Sequence, residues 1–185
     1  RLETNNASLA NRHGEYFWKS VAVDNSSLFA TTNLKVTAVM ASGTNSLVRT
    51  EVRSAVIPAT PVVYAHDPDG NLLSDGLWTN QWSGENRLVS MQNVSSVPDA
   101  KKRKLDFKYD YMGRRTQKTV SAWNTASNDW EVSSVHTYVW QGWNILGETV
   151  ATPTGTLTNW YVWASDLSGT LQGAGGVGGL VMVSL

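Results

Sequence analysis

Three observations predict an all-β, antiparallel fold, a strip of β-hairpins. Thr, Val, Ser, Asn and Gly are abundant, the mixture found in pleated strands joined by tight turns. Apolar and polar side chains alternate with period two around residues 47–57 and 105–111. Aromatic runs meet Gly, Asn and Asp turns repeatedly, and helix-like stretches are few. At 185 residues and 20.2 kDa the chain can form one domain or two small ones.

The elements follow in order. YFWKSVAVD (16–24) and LKVTAVM (34–40) are short apolar-rich runs separated by the turn-like DNSSLFATTN. After ASGTNS comes LVRTEVRSAVI. Val48, Thr50, Val52 and Ser54 fall on one face and Arg49, Glu51 and Arg53 on the other, the pattern of a strand with one wet side. Pro58 and Pro61 cannot donate to a ladder and close this segment, so residues 1–59 are expected to form a small N-terminal β-module. Residues 60–163 then read as successive hairpins. In LDFKYDYMGRR, Leu105, Phe107, Tyr109 and Tyr111 share one face while Asp106, Lys108 and Asp110 share the other. Gly113 turns this strand into RRTQKTVSAW. VSSVHTYVW, the tight turn QGWN, ILGETVA, the turn TPTGT and LTNWYVWAS continue the alternation. The C-terminal GAGGVGGLVMVSL is too short to span a bilayer and is expected to be a buried strand.

Composition narrows the function classes. The chain carries 15 basic and 15 acidic residues, so the basic excess that phosphate-backbone binding requires is missing, and no nucleic-acid partner is expected. The one basic cluster, Lys101, Lys102, Arg103 and Lys104, reads as a solvated loop. No cysteine is present, which removes disulfides and thiolate chemistry. Gly173, Gly175 and Gly178 spell G-x-G-x-x-G, but seven residues follow Gly178, too few for the helix and acidic residue of a dinucleotide site; no cofactor is expected. The opening RLETNN has no Met and no apolar leader, and reads as part of a longer chain.

Candidate chemistry is sparse, and the expectation leans away from catalysis. Asp67, Asp69, Asn71 and Asp75 have the oxygen spacing of a calcium loop. Leu72 and Trp78, however, stand where such a loop needs Gly and Glu, so a structural turn is expected and no metal. His66, beside Asp67, and His136, within an apolar strand, are the candidate bases for a small ester, lactone or glycoside hydrolase, with Asp67 and Asp110 among the nearby acids. No Ser lies in a Gly-x-Ser-x-Gly elbow. Trp78 and Trp82, bracketing TNQ in an expected loop, and Trp143 are the candidate rings for stacking a glycan.

Four stretches carry a family resemblance. Tyr64, Asp67, Gly70, Asn71 and Leu72 in YAHDPDGNL come first, then WSGENRL (82–88), FKYDYMGRR (107–115) and YVWQGWNILGE (138–148). With WYVWASDLSGTLQGAGGVGGL (160–180), this order resembles the RHS/YD-repeat proteins of bacteria, residues 164–185 resembling the truncated start of the RHS-associated core. The resemblance implies an extracellular or cell-surface strip of hairpins that curls into a shell around a cargo. Its partners would be neighbouring repeats of a longer parent, with exposed edges prone to self-association. The family's self-cleaving Asp-Pro-x-Gly segment lies at the end of the core, so the literal match at Asp67–Gly70 does not inherit that role.

Overall fold

The computed structural model describes residues 2–4, 8–9, 11–42, 45–173 and 179–184. Among them the fold is all-β with every ladder antiparallel, and a single 3-10 turn at Asp99–Lys101 stands apart from the strands. No helix of these residues is long and apolar enough to cross a membrane. The chain divides into two compact units, Arg1–Val63 and Tyr64–Leu185. The expected boundary at residue 59 falls just before that division.

In the first unit, β1 (Leu2–Thr4), β2 (Ser8–Leu9), β5 (Ala30–Ser42) and β6 (Asn45–Ile57) form one sheet in the order β2-β1-β5-β6. The strands β3 (Asn11–His13) and β4 (Tyr16–Trp18) pair separately. The β5–β6 ladder runs in unbroken register from Ala30↔Ile57 to Ser42↔Asn45. The alternation is the expected one, but both faces of residues 47–54 are exposed. Val48 and Val52 are exposed, while Leu34, Val36, Ala55 and Ile57 line an open cleft of about 430 Å³ together with Phe17, Trp18, Val21 and Val23. Those cleft residues share their face with Arg49, Glu51 and Arg53, but the cleft reaches β6 only at Ala55 and Ile57.

The second unit is one ten-stranded sheet whose spatial order is the chain order. Its strands are β7 (Ala65–His66), β8 (Leu72–Ser74), β9 (Trp78–Trp82), β10 (Leu88–Asn93) and β11 (Arg103–Tyr109), followed by β12 (Arg115–Asn124), β13 (Asp129–Gln141), β14 (Asn144–Thr152), β15 (Gly155–Trp163) and β16 (Leu180–Ser184). Residues 103–109 and 115–124 form the expected hairpin, with the Arg115 guanidinium 5.4 Å above the Phe107 ring and 5.5 Å above Tyr138. Tyr111 is not on the β11 face; it sits in the turn, exposed.

Little of this sheet is buried. Val97, 2% exposed, and Phe107, 9% exposed, are the buried apolar residues among those described, and both faces keep open apolar side chains. Beyond Trp163 the chain returns as β16, so residues 180–184 complete the same sheet. That strand is exposed along its length, not buried as its composition suggests, because it is the last in the sheet order and meets β15 alone. The basic cluster is also less wet than expected. Lys102 bonds Asp99 at 2.6 Å and lies 5.3 Å over Trp123, while Arg103 and Lys104 already belong to β11.

Candidate functional site

One hairpin turn recurs four times among the described residues. At Asp67–Asn71, Ser83–Arg87, Asp110–Arg114 and Asp166–Thr170, the first residue's N–H donates to the fifth residue's carbonyl at 2.7–3.0 Å. The fourth residue's N–H returns to the first carbonyl at 3.0 Å in every case. This is the three-residue hairpin loop that needs a left-handed fourth position. Gly70, Gly113 and Gly169 supply it at φ 85°, 82° and 77°, and Asn86 at 57°. The first side chain caps the loop. Asp67 Oδ1 accepts from Asn71 N at 2.8 Å, Asp110 Oδ1 from Met112 N and Arg114 N at 2.9 and 3.0 Å, and Asp166 Oδ1 from Ser168 N at 2.8 Å.

Two further bonds repeat with the turns. An aromatic residue at the end of the strand before each turn donates its polar tip to the carbonyl of the residue that leaves the preceding turn. Trp82 Nε1 reaches Leu72 O at 2.9 Å and Tyr109 Oη reaches Leu88 O at 2.8 Å. Trp140 Nε1 reaches Arg115 O at 2.9 Å and Trp163 Nε1 reaches Ile145 O at 2.5 Å. Successive turns are also joined directly. Asn71 Nδ2 donates to Asn86 Oδ1 at 2.8 Å, and an Arg87 guanidinium nitrogen to Asp110 O at 3.1 Å. Arg114 donates to Gly142 O at 2.5 Å, and Gln172 Nε2 to Asn144 Oδ1 at 2.9 Å. A continuous hydrogen-bonded row of turns therefore borders one margin of the sheet.

These contacts explain the low carboxylate pKa values in the row. The Asn71 side chain is the largest influence on Asp67 and holds it below the ordinary range. At Asp110 burial works upward, but hydrogen bonds and charge from Arg114 outweigh it and lower the value. The Arg114–Asp110 ion pair closes at 2.7 Å.

A second cluster lies in the middle of the sheet. Ser134 and His136 stand two residues apart on β13, and Glu148 on β14 is one diagonal step from His136. His136 Nδ1 and Glu148 Oε1 are 2.7 Å apart, Ser134 Oγ and His136 Nε2 are 3.1 Å apart, and Tyr161 Oη donates to Glu148 Oε2 at 3.3 Å. The His136 and Glu148 side chains are each 17% exposed. Burial pushes Glu148 upward, but hydrogen bonding and charge from His136, with bonds from Asn159 and Tyr161, carry it below 4.5. Burial and the adjoining Glu148 charge raise both Tyr138 and Tyr161.

A lowered carboxylate pKa gives stability that is present above the unfolded value and lost as pH falls through the folded one. Melting temperature should therefore fall on acidification below about pH 4.5. In Glu148→Gln the gap between the melting temperatures at pH 7 and pH 3 should narrow. An unchanged gap in thermal melts would refute this role for Glu148.

The sequence-derived candidates scatter. Asp67 and Asp75 lie at opposite ends of β8, Asp75 capping the next turn through Leu77 N and Trp78 N at 2.9 and 2.7 Å. No group of three metal-binding side chains forms among the described residues. His66 is exposed on the two-residue β7. Asp110 is held by Arg114 in its turn. Trp78 and Trp82 lie in a strand, not a loop, because residues 78–82 pair with β10; both are half-buried, and Trp82 Nε1 bonds Leu72 O. Trp143 sits in a turn and is 48% exposed. Gly175 and Gly178 lie outside the described residues. His136 alone among the candidate bases is joined to an acid, and its partners Ser134 and Glu148 could not be selected from sequence, since their meeting depends on register.

No family model matches the chain, and no curated protein matches it either. Among solved structures it is similar to a DUF3836 family protein from Bacteroides vulgatus ATCC 8482, at 20% identity and a TM-score of 0.31. That likeness covers 48% of this chain and 81% of the other.

Proposed function

We propose that residues 64–185 are a structural strip of the RHS/YD type, part of a bacterial shell or cell-surface protein. The observation that carries this reading is the repeated stitch: an aromatic tip bonded to the preceding hairpin, followed by a turn bonded to its neighbour. The motif binds each hairpin to the last without a second layer. A one-layer sheet leaves both faces and both edges for other chain segments to cover. In the parent protein those segments would be neighbouring repeats, facing an enclosed cargo or the extracellular medium.

The purified chain should therefore self-associate reversibly, its weight-average mass rising with concentration in sedimentation equilibrium. It should also bind an apolar dye such as ANS while retaining a folded β spectrum. A strictly monomeric chain that binds no dye would sink the proposal, because its faces would then need no cover.

A further inference from the structure

We propose that Ser134, His136 and Glu148 form a serine-hydrolase relay that cleaves small, uncharged carboxylic esters. The inference is independent of the structural-strip reading, since it rests on three side chains and not on the turns.

The geometry assigns the protons. An ionised Glu148 carboxylate only accepts hydrogen bonds, so the 2.7 Å contact places the imidazole hydrogen on Nδ1. The Nε2 lone pair is then free to accept the Ser134 hydroxyl at 3.1 Å. This is the order of nucleophile, base and orienting acid in a serine triad, which is defined by geometry and role and not by sequence position. Glu148 is itself fixed by Tyr161, and Tyr138 stands directly across from it. Strand geometry contributes too. The ladder from β12 to β13 slips between Val120↔Ser134 and Ser121↔Val132, leaving Ser133 as an extra residue beside the nucleophile. Such bulges re-aim the side chains next to them. Lys118 lies opposite His136 on the same face, forms no ion pair among the described residues, and supplies positive charge for the developing oxyanion.

In the first step Ser134 Oγ bonds to the ester carbonyl carbon while its proton passes to His136 Nε2. The ester C–O bond breaks and the alcohol leaves with that proton. Water then adds to the acyl-serine, gives a proton to Nε2, and releases the carboxylic acid as Oγ recovers its proton. Ester and water become acid and alcohol, with no other reactant. Ser134 and His136 are only partly covered, and Tyr138 and Tyr161 stand beside Glu148.

The test pairs covalent labelling with kinetics on the intact chain. A fluorophosphonate probe should label the unmodified protein once, and peptide mass spectrometry should place the adduct on Ser134. Turnover of p-nitrophenyl butyrate should fall about 10³-fold or more in Ser134→Ala, and comparably in Glu148→Gln, where the imidazole loses its enforced tautomer. Circular dichroism should show both variants folded. A label elsewhere, no label with no turnover, or a Ser134→Ala rate within about threefold of the parent would overturn the relay. Because labelling uses the unmodified chain, a variant that fails to fold cannot hide the answer.

Discussion

Gly179→Ala should release β16 from the sheet. Gly179 has φ +78°, and a Cβ there would overlap Ala164 O and stand 3.1 Å from Ser165 O, both backbone atoms that cannot turn aside. Holding alanine in that place would cost on the order of 2–3 kcal/mol, from the left-handed backbone and the overlap together. The bond from Ala164 N to Gly179 O, 2.8 Å, fastens the start of β16 at this point. An edge strand has a cheaper escape than global unfolding, since it can detach and leave the other ladders intact. The loss should therefore be local. Hydrogen exchange at residues 160–163 and 180–184 should accelerate strongly, while amides in β11–β13 keep their protection. Equal protection throughout in the variant would show that the position tolerates a side chain. Gly113 offers the contrast: its φ is similar, but an added Cβ would meet the Arg87 guanidinium at an ordinary 3.5 Å.

Arg114→Ala should be the most damaging change to the row of turns. Its guanidinium bonds Asp110 Oδ2 through Nε at 2.8 Å, pairs with the same oxygen at 2.7 Å, and reaches Gly142 O at 2.5 Å. One side chain thus braces its own turn and ties it to the next. Its removal strips the partner from the Asp110 carboxylate, whose side chain is only 18% exposed, and cuts the tie to the next turn; leaving a covered acceptor unpaired is what makes such losses costly. A melting-temperature drop of roughly 5 °C or more is expected for a unit of this size. Arg53→Ala is the matched control. Its pair with Glu51 is similarly close in space, but the two side chains are 79% and 64% exposed, where ion pairs contribute little. Thermal melts in which the two variants behave alike would remove the turn row as a source of stability.

The sequence exposed some of this architecture and hid the rest for physical reasons. Period-two alternation located β11 and β12, and Asp110 with Gly113 marked the turn between them, because both signals are local. The aromatic residues before each turn were visible as a pattern, but their partners were not. Trp140 bonds a carbonyl 25 residues away, a distance that only strand pairing closes. Arg49, Glu51 and Arg53 read as a wet side and are exposed, but Val48 and Val52 on the other face are exposed too, because the cleft reaches β6 only at Ala55 and Ile57. Trp78–Trp82 looked like a loop because TNQ is polar, although β10 pairs with it along its length. His136 was visible as a base but its acid was not. Glu148 lies across a ladder whose register shifts between Val139 and Trp140, and no spacing rule anticipates that slip.

The bonded turns all lie at the same margin, since each follows an odd-numbered strand of the second unit. This imposes a parity rule on how the strip can lengthen or shorten. Adding or deleting two strands keeps every later turn at its margin, with its bonding partners in place. Adding or deleting one sends all later turns to the opposite margin and severs the row at that point. Duplication and loss along such a chain are compatible with the row in hairpin-sized steps, and a strip of any length can be built from the same unit.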